Sequence, residues 1–321
     1  MREHELQSVR DFFAYQDADG VSNAQKARTL AKPIRRLDTT DKNKSYESSG
    51  SREGAEGDPD SLPLGVVEVD GKLVGFGIHI YNEDVYPLQS FEIYLRNCQL
   101  EGPLDLDGFE DLVFVDIYHN RVSAVTCAGD PSLRILGVQD NEIASLDPTQ
   151  LPACQGIDAG KNRLTCIDVS QNPELVELYI NDNDFTEIDL SHNAKLKYFY
   201  CHNNRISRLD TRGNALLRHL NATGNPMTEI LALAPQRDGV LPLEVRAAEG
   251  GHVGLRFNPI YNAQWKETGE WEQSYWAYPR DGYAFDGWFD AQSGELLSNE
   301  ATWIDEYGAS RRLEARFSAK A

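Results

Sequence analysis

Residues 175–216 read LVELYINDNDFTEIDLSHNAK and LKYFYCHNNRISRLDTRGNAL, two successive stretches of 21 residues that align without a gap. The same spacing continues in both directions and divides 91–237 into seven units. The first position of the units is occupied by Phe91, Leu112, Leu133, Cys154, Leu175, Leu196 and Leu217, and the ninth by Gln99, Asn120, Asn141, Asn162, Asn183, Asn204 and Asn225. A fixed period of this length is typical of a solenoid, in which each unit forms one coil.

The consensus of these units, LxxLxLxxNxLxxLDLxxNxx, predicts one short strand per unit. Apolar residues at the fourth and sixth positions lie on one side of such a strand, because successive side chains alternate. No unit can bury its apolar edge alone, so neighbouring units must stack around a shared core. The asparagine at the ninth position follows the strand, where its amide can bond to buried backbone groups that would each cost about 1–3 kcal/mol if left unpaired.

This consensus resembles that of leucine-rich repeats, and the resemblance covers all seven 21-residue units of 91–237. It implies a right-handed solenoid with a parallel β-sheet on its concave face. LDL-like motifs recur around Asp168, Asp189 and Asp210 in the second half of the units. Since 21 residues leave little room for a helix, we expect a convex side of short strands and turns with few helices.

Two segments at the start of the chain differ from the repeats in composition. Residues 1–37 are predicted as an N-terminal helical segment, because apolar residues recur there at near-helical spacing. Residues 38–62 contain almost no apolar side chains and are predicted as a flexible linker.

Residues 63–90 contain two apolar runs on either side of Asp70-Gly71, the pattern of a β-hairpin. The first coil of a solenoid exposes core residues unless something covers them. We therefore expect this hairpin to be the N-terminal cap.

After residue 237 the repeat stops and the five tryptophans of the chain appear, at Trp265, Trp271, Trp276, Trp288 and Trp303. Short apolar runs separated by Gly and Pro predict a small all-β C-terminal domain at 238–321. Its Gly282-Tyr283 pair, the stretch FDGWFD and the closing LEARF resemble the internalin B-type repeat module that follows the leucine-rich repeats of internalin-type bacterial surface proteins.

Charge and hydropathy exclude several classes of partner. The net charge of −20 argues against nucleic acid, because phosphate binding requires clustered Lys and Arg. The same charge disfavours an anionic membrane surface, and no apolar run is long enough to insert into a membrane. The start, MREHELQSVRDFF, lacks the apolar core of a signal peptide. High negative charge suits an extracellular setting, so we expect an extracellular or bacterial cell-surface location with the signal removed. A cytoplasmic location stays open as the alternative.

No motif of a catalytic, cofactor or metal site is found. GxSxG, HExxH, GxGxxG and GxxxxGK[ST] do not occur. The stretch DADG at 17–20 is not a calcium loop, because it would place Tyr15 and Lys26 at positions that require oxygen ligands. The five cysteines form no CxxC, and most fall at core positions of the repeat. Cys201 and His202 are neighbours on a predicted strand, so they point to opposite faces and cannot form a catalytic dyad.

The candidate site consists of the third, fifth and seventh positions, which point outward from the strands. The predicted ligand-binding residues are Phe114, Asp116, Tyr118, Asp158, Glu177, Tyr179, Asn181, Tyr198, Tyr200, His202, His219 and Asn221. They form a larger aromatic cluster on the later repeats and a smaller one on the earlier repeats. Between them Gly137, Gly156 and Gly160 predict a shallow dip. Tyrosine-rich surfaces are typical of binding sites, although strands favour tyrosine without any function as well.

These observations favour a non-enzymatic interaction protein that binds a protein or a glycan on the concave face. Two alternatives stay open. A carbohydrate-active or carbohydrate-binding function of the C-terminal domain would use its tryptophans together with Glu267, Glu270 and Glu272, since aromatic rings stack on sugars and paired carboxylates cleave glycosides. A cytosolic protein-interaction scaffold is the other.

Overall fold

The computed structural model describes residues 7, 8, 11, 12, 14–23, 66–69, 72–75, 91–94, 99–110, 112–236, 239–262, 267–305 and 311–320. The predicted linker at 38–62, the predicted hairpin turn, Cys98 and Trp265 lie outside these residues. Among the described residues, helix occurs only at 7, 8, 11, 12, 14 and 23, within the predicted helical segment. All the rest is strand, turn or irregular backbone.

Twenty strands lie in the described residues from Val66 onward. In the first half of the chain they are β1 (Val66–Val69), β2 (Lys72–Gly75), β3 (Phe91–Tyr94), β4 (Glu101–Asp105), β5 (Leu112–Asp116), β6 (Arg121–Thr126), β7 (Ile135–Gly137), β8 (Gly156–Asp158), β9 (Glu177–Tyr179) and β10 (Tyr198–Tyr200). In the second half they are β11 (Arg208–Asp210), β12 (His219–Asn221), β13 (Glu229–Gln236), β14 (Gly239–Ala247), β15 (Gly251–Tyr261), β16 (Glu267–Pro279), β17 (Tyr283–Asp290), β18 (Leu296–Ser298), β19 (Thr302–Asp305) and β20 (Arg311–Ala319).

The repeats form a leucine-rich repeat solenoid, as the sequence predicts. One strand from each repeat enters a parallel sheet in the order β3-β5-β7-β8-β9-β10-β12. From β5 to β12 the strands pair at intervals of 21 residues, for example Tyr198 with Glu177 on one side and with His219 on the other. The opposite side of the coils consists of turns and short strands such as β11, so the expected near absence of helix there is confirmed.

The core of the solenoid contains the fourth and sixth positions of each repeat. Leu178 and Ile180, and Phe199 and Cys201, are fully buried in successive coils. Cys127 and Cys154 are also buried in this core, whereas Cys166 is exposed. The alternation inferred from the sequence therefore holds, and three of the four described cysteines are packing residues.

The asparagines at the ninth positions connect the coils, and we call the six of them the asparagine ladder. Its members are Asn120, Asn141, Asn162, Asn183, Asn204 and Asn225. The Asn204 Oδ1 accepts the backbone N–H of Phe185 (3.0 Å), and its Nδ2 donates to the carbonyls of Ile180 (2.9 Å) and Cys201 (3.0 Å). Every other member accepts from the preceding coil and donates to its own coil in the same way. The predicted pairing of buried backbone groups is thus confirmed.

A second row of asparagines supports the opposite side of the coils. Asn172, Asn193 and Asn214 stand at the nineteenth position and are almost fully buried. The Asn193 Nδ2 donates to the carbonyls of Val169 (2.9 Å) and Asn172 (3.0 Å), both in the preceding coil. Each of these three coils is therefore attached to the coil before it at two points of its circumference.

The first repeat departs from the predicted register. Gln99 has a φ of +53°, the left-handed conformation that Asp182 (+54°) and Asn203 (+57°) adopt at the eighth position of later repeats. The assignment of Gln99 to the ninth column is therefore wrong. The strand pairing of the first repeat is irregular as well, since Glu92 pairs with Phe114, 22 residues later instead of 21.

A residue from outside the repeats provides the missing amide of the first coil. The Asn23 Oδ1 accepts the backbone N–H of Glu101 (2.9 Å), and its Nδ2 donates to the carbonyls of Glu101 (2.7 Å) and Phe12 (2.9 Å). Phe12 is only 3% exposed and belongs to the solenoid core. Phe12 and Asn23 therefore attach the segment before the repeats to the first coil.

The predicted cap at 63–90 is described only for its two strands. β1 and β2 pair antiparallel as a hairpin, with Val66 opposite Gly75. Whether this hairpin shields the solenoid stays a prediction.

Strands on both sides of the last coil continue into the region 238–321, whose described residues form strands and the turns between them. The parallel sheet is extended by β15, β16 and β19 to ten strands, and β15 pairs antiparallel with β12. On the other side, β13 leaves the last coil and pairs with β14 in a six-stranded sheet. The aromatic core between the sheets contains Trp288, Tyr275 and Phe257, so the C-terminal strands cover the last coil.

The asparagine ladder gives the first testable prediction. Asn204→Ala leaves the backbone groups of Phe185, Ile180 and Cys201 without this partner, so we expect a loss of about 2–4 kcal/mol in the free energy of unfolding. Urea denaturation followed by circular dichroism measures it.

The matched control is the neighbouring residue. Asn203 is exposed, and the equivalent residue of the next coil is Gly224, with a φ of +67°. Asn203→Gly should therefore change the free energy of unfolding by less than about 1 kcal/mol. Equal losses in both variants would show that the ladder does not determine stability.

Candidate ligand-binding face

The outward side of the ten-stranded sheet carries the candidate site, and we call it the sheet face. Its central row consists of the fifth positions, which pair directly from strand to strand. In order across the sheet the central row is Asp116, Gly137, Asp158, Tyr179, Tyr200, Asn221 and Arg256. Because the backbone register is fixed by strand pairing, these residues form one continuous line.

The predicted site residues all belong to the sheet face but differ in accessibility. Those that are half-buried are Tyr118, Asp158, Glu177, Tyr179, Tyr198, Tyr200, His202 and Asn221. Those that are buried are Phe114, Asp116, Asn181 and His219. These four point outward from the strands but are covered by neighbouring side chains. Strands about 4.8 Å apart place tall side chains over shorter neighbours.

His219 shows how this covering occurs. Its ring stacks on that of Tyr198, with centroids 4.3 Å apart, and its Nε2 lies 3.5 Å from the hydroxyl of Tyr261. Only 7% of His219 is exposed, and burial lowers the pKa of its imidazole. His219 is therefore a support for Tyr198 more than an open contact point.

The larger aromatic cluster lies on β9 and β10. The rings of Tyr179 and Tyr200 are in contact, with centroids 5.1 Å apart, and His202 meets Tyr200 edge-on at 6.3 Å. Burial raises the pKa of the hydroxyls of Tyr179, Tyr198 and Tyr200. These tyrosines thus present neutral hydroxyl groups at the edge of an apolar surface.

The pair Cys201–His202 has no shared chemistry. Cys201 is fully buried, and burial raises the pKa of its thiol. His202 is half-buried on the sheet face, where burial lowers the pKa of its imidazole in spite of the carboxylate of Asp182 at 3.9 Å. The two side chains lie on opposite sides of the strand, as predicted.

A depression of about 250 Å³ separates the two aromatic clusters. Phe114 and Tyr118 stand on one side of it and Tyr179 on the other, with Gly137 and Gly156 between them. The predicted dip is therefore present. Gly160 does not line it, since a Cβ at that position would lie 2.9 Å from the Asn181 Oδ1.

Three carboxylates border this depression. Asp116 and Asp158 come from the central row, and Glu177 comes from the third position of β9. Burial raises the pKa of the Glu177 carboxyl, partly opposed by the hydrogen bond that the Tyr179 hydroxyl donates to it at 3.4 Å. The depression is acidic, and its lining residues include no Lys, Arg or His.

The C-terminal strands add residues that the repeat pattern could not indicate. Arg256 on β15 pairs with Asn221, and the row continues through Ser274 on β16 to Ile304 on β19. Arg256 is exposed and Ile304 is 53% exposed. The alternation of His252-Val-Gly-Leu-Arg-Phe could have indicated a strand with Arg256 outward, but not its position beside the last repeat.

The tryptophans of the C-terminal region are partly accounted for by packing. Trp288 is fully buried against Tyr275, which also contacts Trp303 with ring centroids 5.3 Å apart. Among the acidic residues of the alternative hypothesis, Glu267 forms an ion pair with Arg218 (3.1 Å). Glu272 accepts a hydrogen bond from the Ser274 hydroxyl, and Glu270 is exposed.

Within the described ranges, no group of three or more His, Cys, Asp or Glu side chains is arranged to hold a metal ion. The same part of the chain contains no helix that is long and apolar enough to cross a membrane.

Comparisons with known proteins reveal similarity at the level of solved structures. No protein-family model matches the chain, and no curated protein matches it. The functional domain of InlJ from Listeria monocytogenes, which includes a cysteine ladder, matches with a TM-score of 0.33 and 23% identity over 37% of this chain and 32% of that one.

A leucine-rich repeat protein from Leptospira interrogans matches with a TM-score of 0.29 and 22% identity, over 31% of this chain and 27% of that one. TLR13 in complex with ssRNA13 matches with a TM-score of 0.34 and 20% identity, over 39% of this chain and 20% of that one. The present chain thus spans about a third or less of each solved chain.

The raised pKa of Glu177 gives a prediction about stability. A carboxyl whose pKa is higher in the folded state contributes stability below the ordinary value of 4.5 and loses it as the pH rises through the folded-state pKa. Above the folded-state pKa the charged form of Glu177 therefore destabilises the fold. We expect Glu177→Gln to raise the urea midpoint at pH 7 and to lose this advantage near pH 4.

Glu187→Gln serves as the control, because Glu187 is exposed and lies on the other side of the same repeat. Its midpoint should stay at the wild-type value at both pH values. A lower midpoint for Glu177→Gln at pH 7 would mean that the buried carboxylate is stabilised by its surroundings.

Proposed function

We propose that the chain is a non-enzymatic binding protein and that a protein ligand docks on its sheet face. The observation that carries the proposal is the row of half-buried tyrosines beside an open depression. Tyr179, Tyr198 and Tyr200 present ring edges and hydroxyls on a surface that packing alone does not require. Tyrosine provides a large contact area at a small cost in conformational entropy, and for this reason it is enriched at binding hot spots.

The rigidity of the sheet face supports this proposal. The asparagine ladder and the strand pairing fix the backbone beneath every residue of the central row. A surface that is already ordered loses less entropy when it binds, so more of the contact energy appears as affinity.

The extent of the sheet face favours a macromolecular ligand. The central row crosses nine neighbouring strands, from β5 to β12 in the repeats and then β15, β16 and β19 of the C-terminal region. A row of strands about 4.8 Å apart extends over several tens of ångströms, far beyond the size of a small molecule. A folded protein or an extended peptide can contact such a surface along its length.

The C-terminal alternative has less support. Trp288 and Trp303 pack inside the molecule, so stacking on a sugar is not needed to explain them. The extracellular location, the glycan ligand and the cytosolic scaffold stay predictions of the sequence.

The proposal predicts the outcome of a selection experiment. Peptides from a phage-displayed library are selected on the wild-type protein and then tested by biolayer interferometry. We expect Tyr179→Ala combined with Tyr200→Ala to weaken their binding at least about tenfold, the effect of losing one hot spot.

Two controls accompany this measurement. Leu216→Ala removes an exposed apolar residue that lies outside the sheet face, and it should leave binding unchanged. The melting temperature of the double variant should fall by no more than about 5 °C, because its tyrosines lie outside the core. If the selected peptides bind the double variant as tightly as the wild type, the sheet face is not the binding site.

A further inference from the structure

We propose that the depression between β5 and β9 receives a Lys or Arg side chain of the protein ligand. This inference rests on the proposed function and deepens it, since it names the chemistry by which the ligand is recognised. The argument comes from the order of residues in the central row, from the aromatic walls and from the size of the depression.

The central row places a glycine between two carboxylates. Asp116 pairs with Gly137, and Gly137 pairs with Asp158. Since neighbouring strands lie about 4.8 Å apart, a cation above Gly137 has a carboxylate-bearing strand at about that distance on each side. Glu177, on the strand beyond Asp158, adds a third carboxyl group to the same depression.

The walls of the depression suit the rest of a basic side chain. Phe114 and Tyr118 on one side and Tyr179 on the other offer apolar rings to an aliphatic stem or a guanidinium plane. Lys and Arg bury their stems along apolar surface and are attracted to the faces of aromatic rings. Carboxylates and aromatic rings therefore select a basic residue over an apolar or an acidic one.

The size of the depression favours a single side chain over a whole small molecule or a metal ion. Its volume of about 250 Å³ lies below the roughly 300–1,000 Å³ of sites that enclose a whole small molecule. Among the described residues no group of three or more His, Cys, Asp or Glu side chains is arranged around a metal ion, and the three carboxyl groups here are no exception. One long side chain projecting from a larger ligand fits both constraints.

Glycine at two positions keeps the depression open. A Cβ on Gly137 would lie 3.1 Å from the carbonyl oxygen of Val115 and 3.6 Å from the Asp116 Cγ. A Cβ on Gly156 would lie 2.7 Å from the Ile135 Cδ1, the flexible end of a side chain that lines the same space. Any larger residue at these positions would occupy the place of the ligand side chain.

The test uses a small probe instead of the unidentified ligand. N-acetyl-lysine methylamide is titrated into the ¹⁵N-labelled full chain, and the amide signals of Gly137 and Gly156 are followed by NMR. We expect saturable shifts at both glycines and none with the norleucine analogue, which has the same stem without the charge.

Two variants with equal net charge separate a local effect from a general one. Asp158→Asn removes a carboxylate of the depression, and we expect it to weaken binding of the lysine probe at least about threefold. Asp168→Asn removes the same charge from an exposed position in the second half of a repeat, away from the sheet face. There Asp168 accepts the backbone N–H of Ser170. It should leave binding unchanged, although the whole chain carries a net charge of −20.

Several results would overturn the inference. They are equal binding of the norleucine analogue, equal weakening by Asp168→Asn, and shifts of the same glycines by a methyl glycoside but not by the lysine probe. Failure here is distinguishable from failure of the proposed function. If selected peptides still require Tyr179 and Tyr200 while the lysine probe does not bind, the sheet face is the binding site but a basic side chain is not its anchor.

Discussion

The hydrogen bonds of the asparagine ladder are the constraint on which the rest of the structure depends. Each amide joins the end of one strand to the coil before it, and a buried backbone group left without this partner would cost about 1–3 kcal/mol. From β5 to β12 this requirement holds the coils at the same 21-residue spacing. The fixed spacing in turn decides which side chains enter the core and which face outward, so the chemistry of the sheet face follows from the ladder.

The sheet face divides into two parts with different chemistry. The earlier repeats contribute an acidic depression with aromatic walls, and the later ones contribute the tyrosine cluster with His202 and Arg256 nearby. Because β15 pairs with β12, the C-terminal strands cover the last coil and enlarge the same face at once. One continuous sheet thus both covers the last coil and forms the sheet face.

The sequence was sufficient for every feature that repeats. Six asparagines at constant spacing determined the register, and the register placed Cys201 inward and Tyr200 outward. Features without a repeat could not be predicted. Asn23 bonds to Glu101 across 78 positions of the chain, and no local pattern indicates such a contact. Burial of Asp116 and His219 depends on how far the side chains of neighbouring strands extend over them, and the alternation along one strand does not reveal this.

Hydroxyl-radical footprinting of the complex with a selected peptide tests the central claim most directly, because it reports the solvent accessibility of individual aromatic side chains. The account predicts protection of Tyr118, Tyr179, Tyr198 and Tyr200, with unchanged labelling of Leu216 on another side of the coils. Protection confined to residues outside the sheet face, with these four tyrosines labelled as in the free protein, would contradict it.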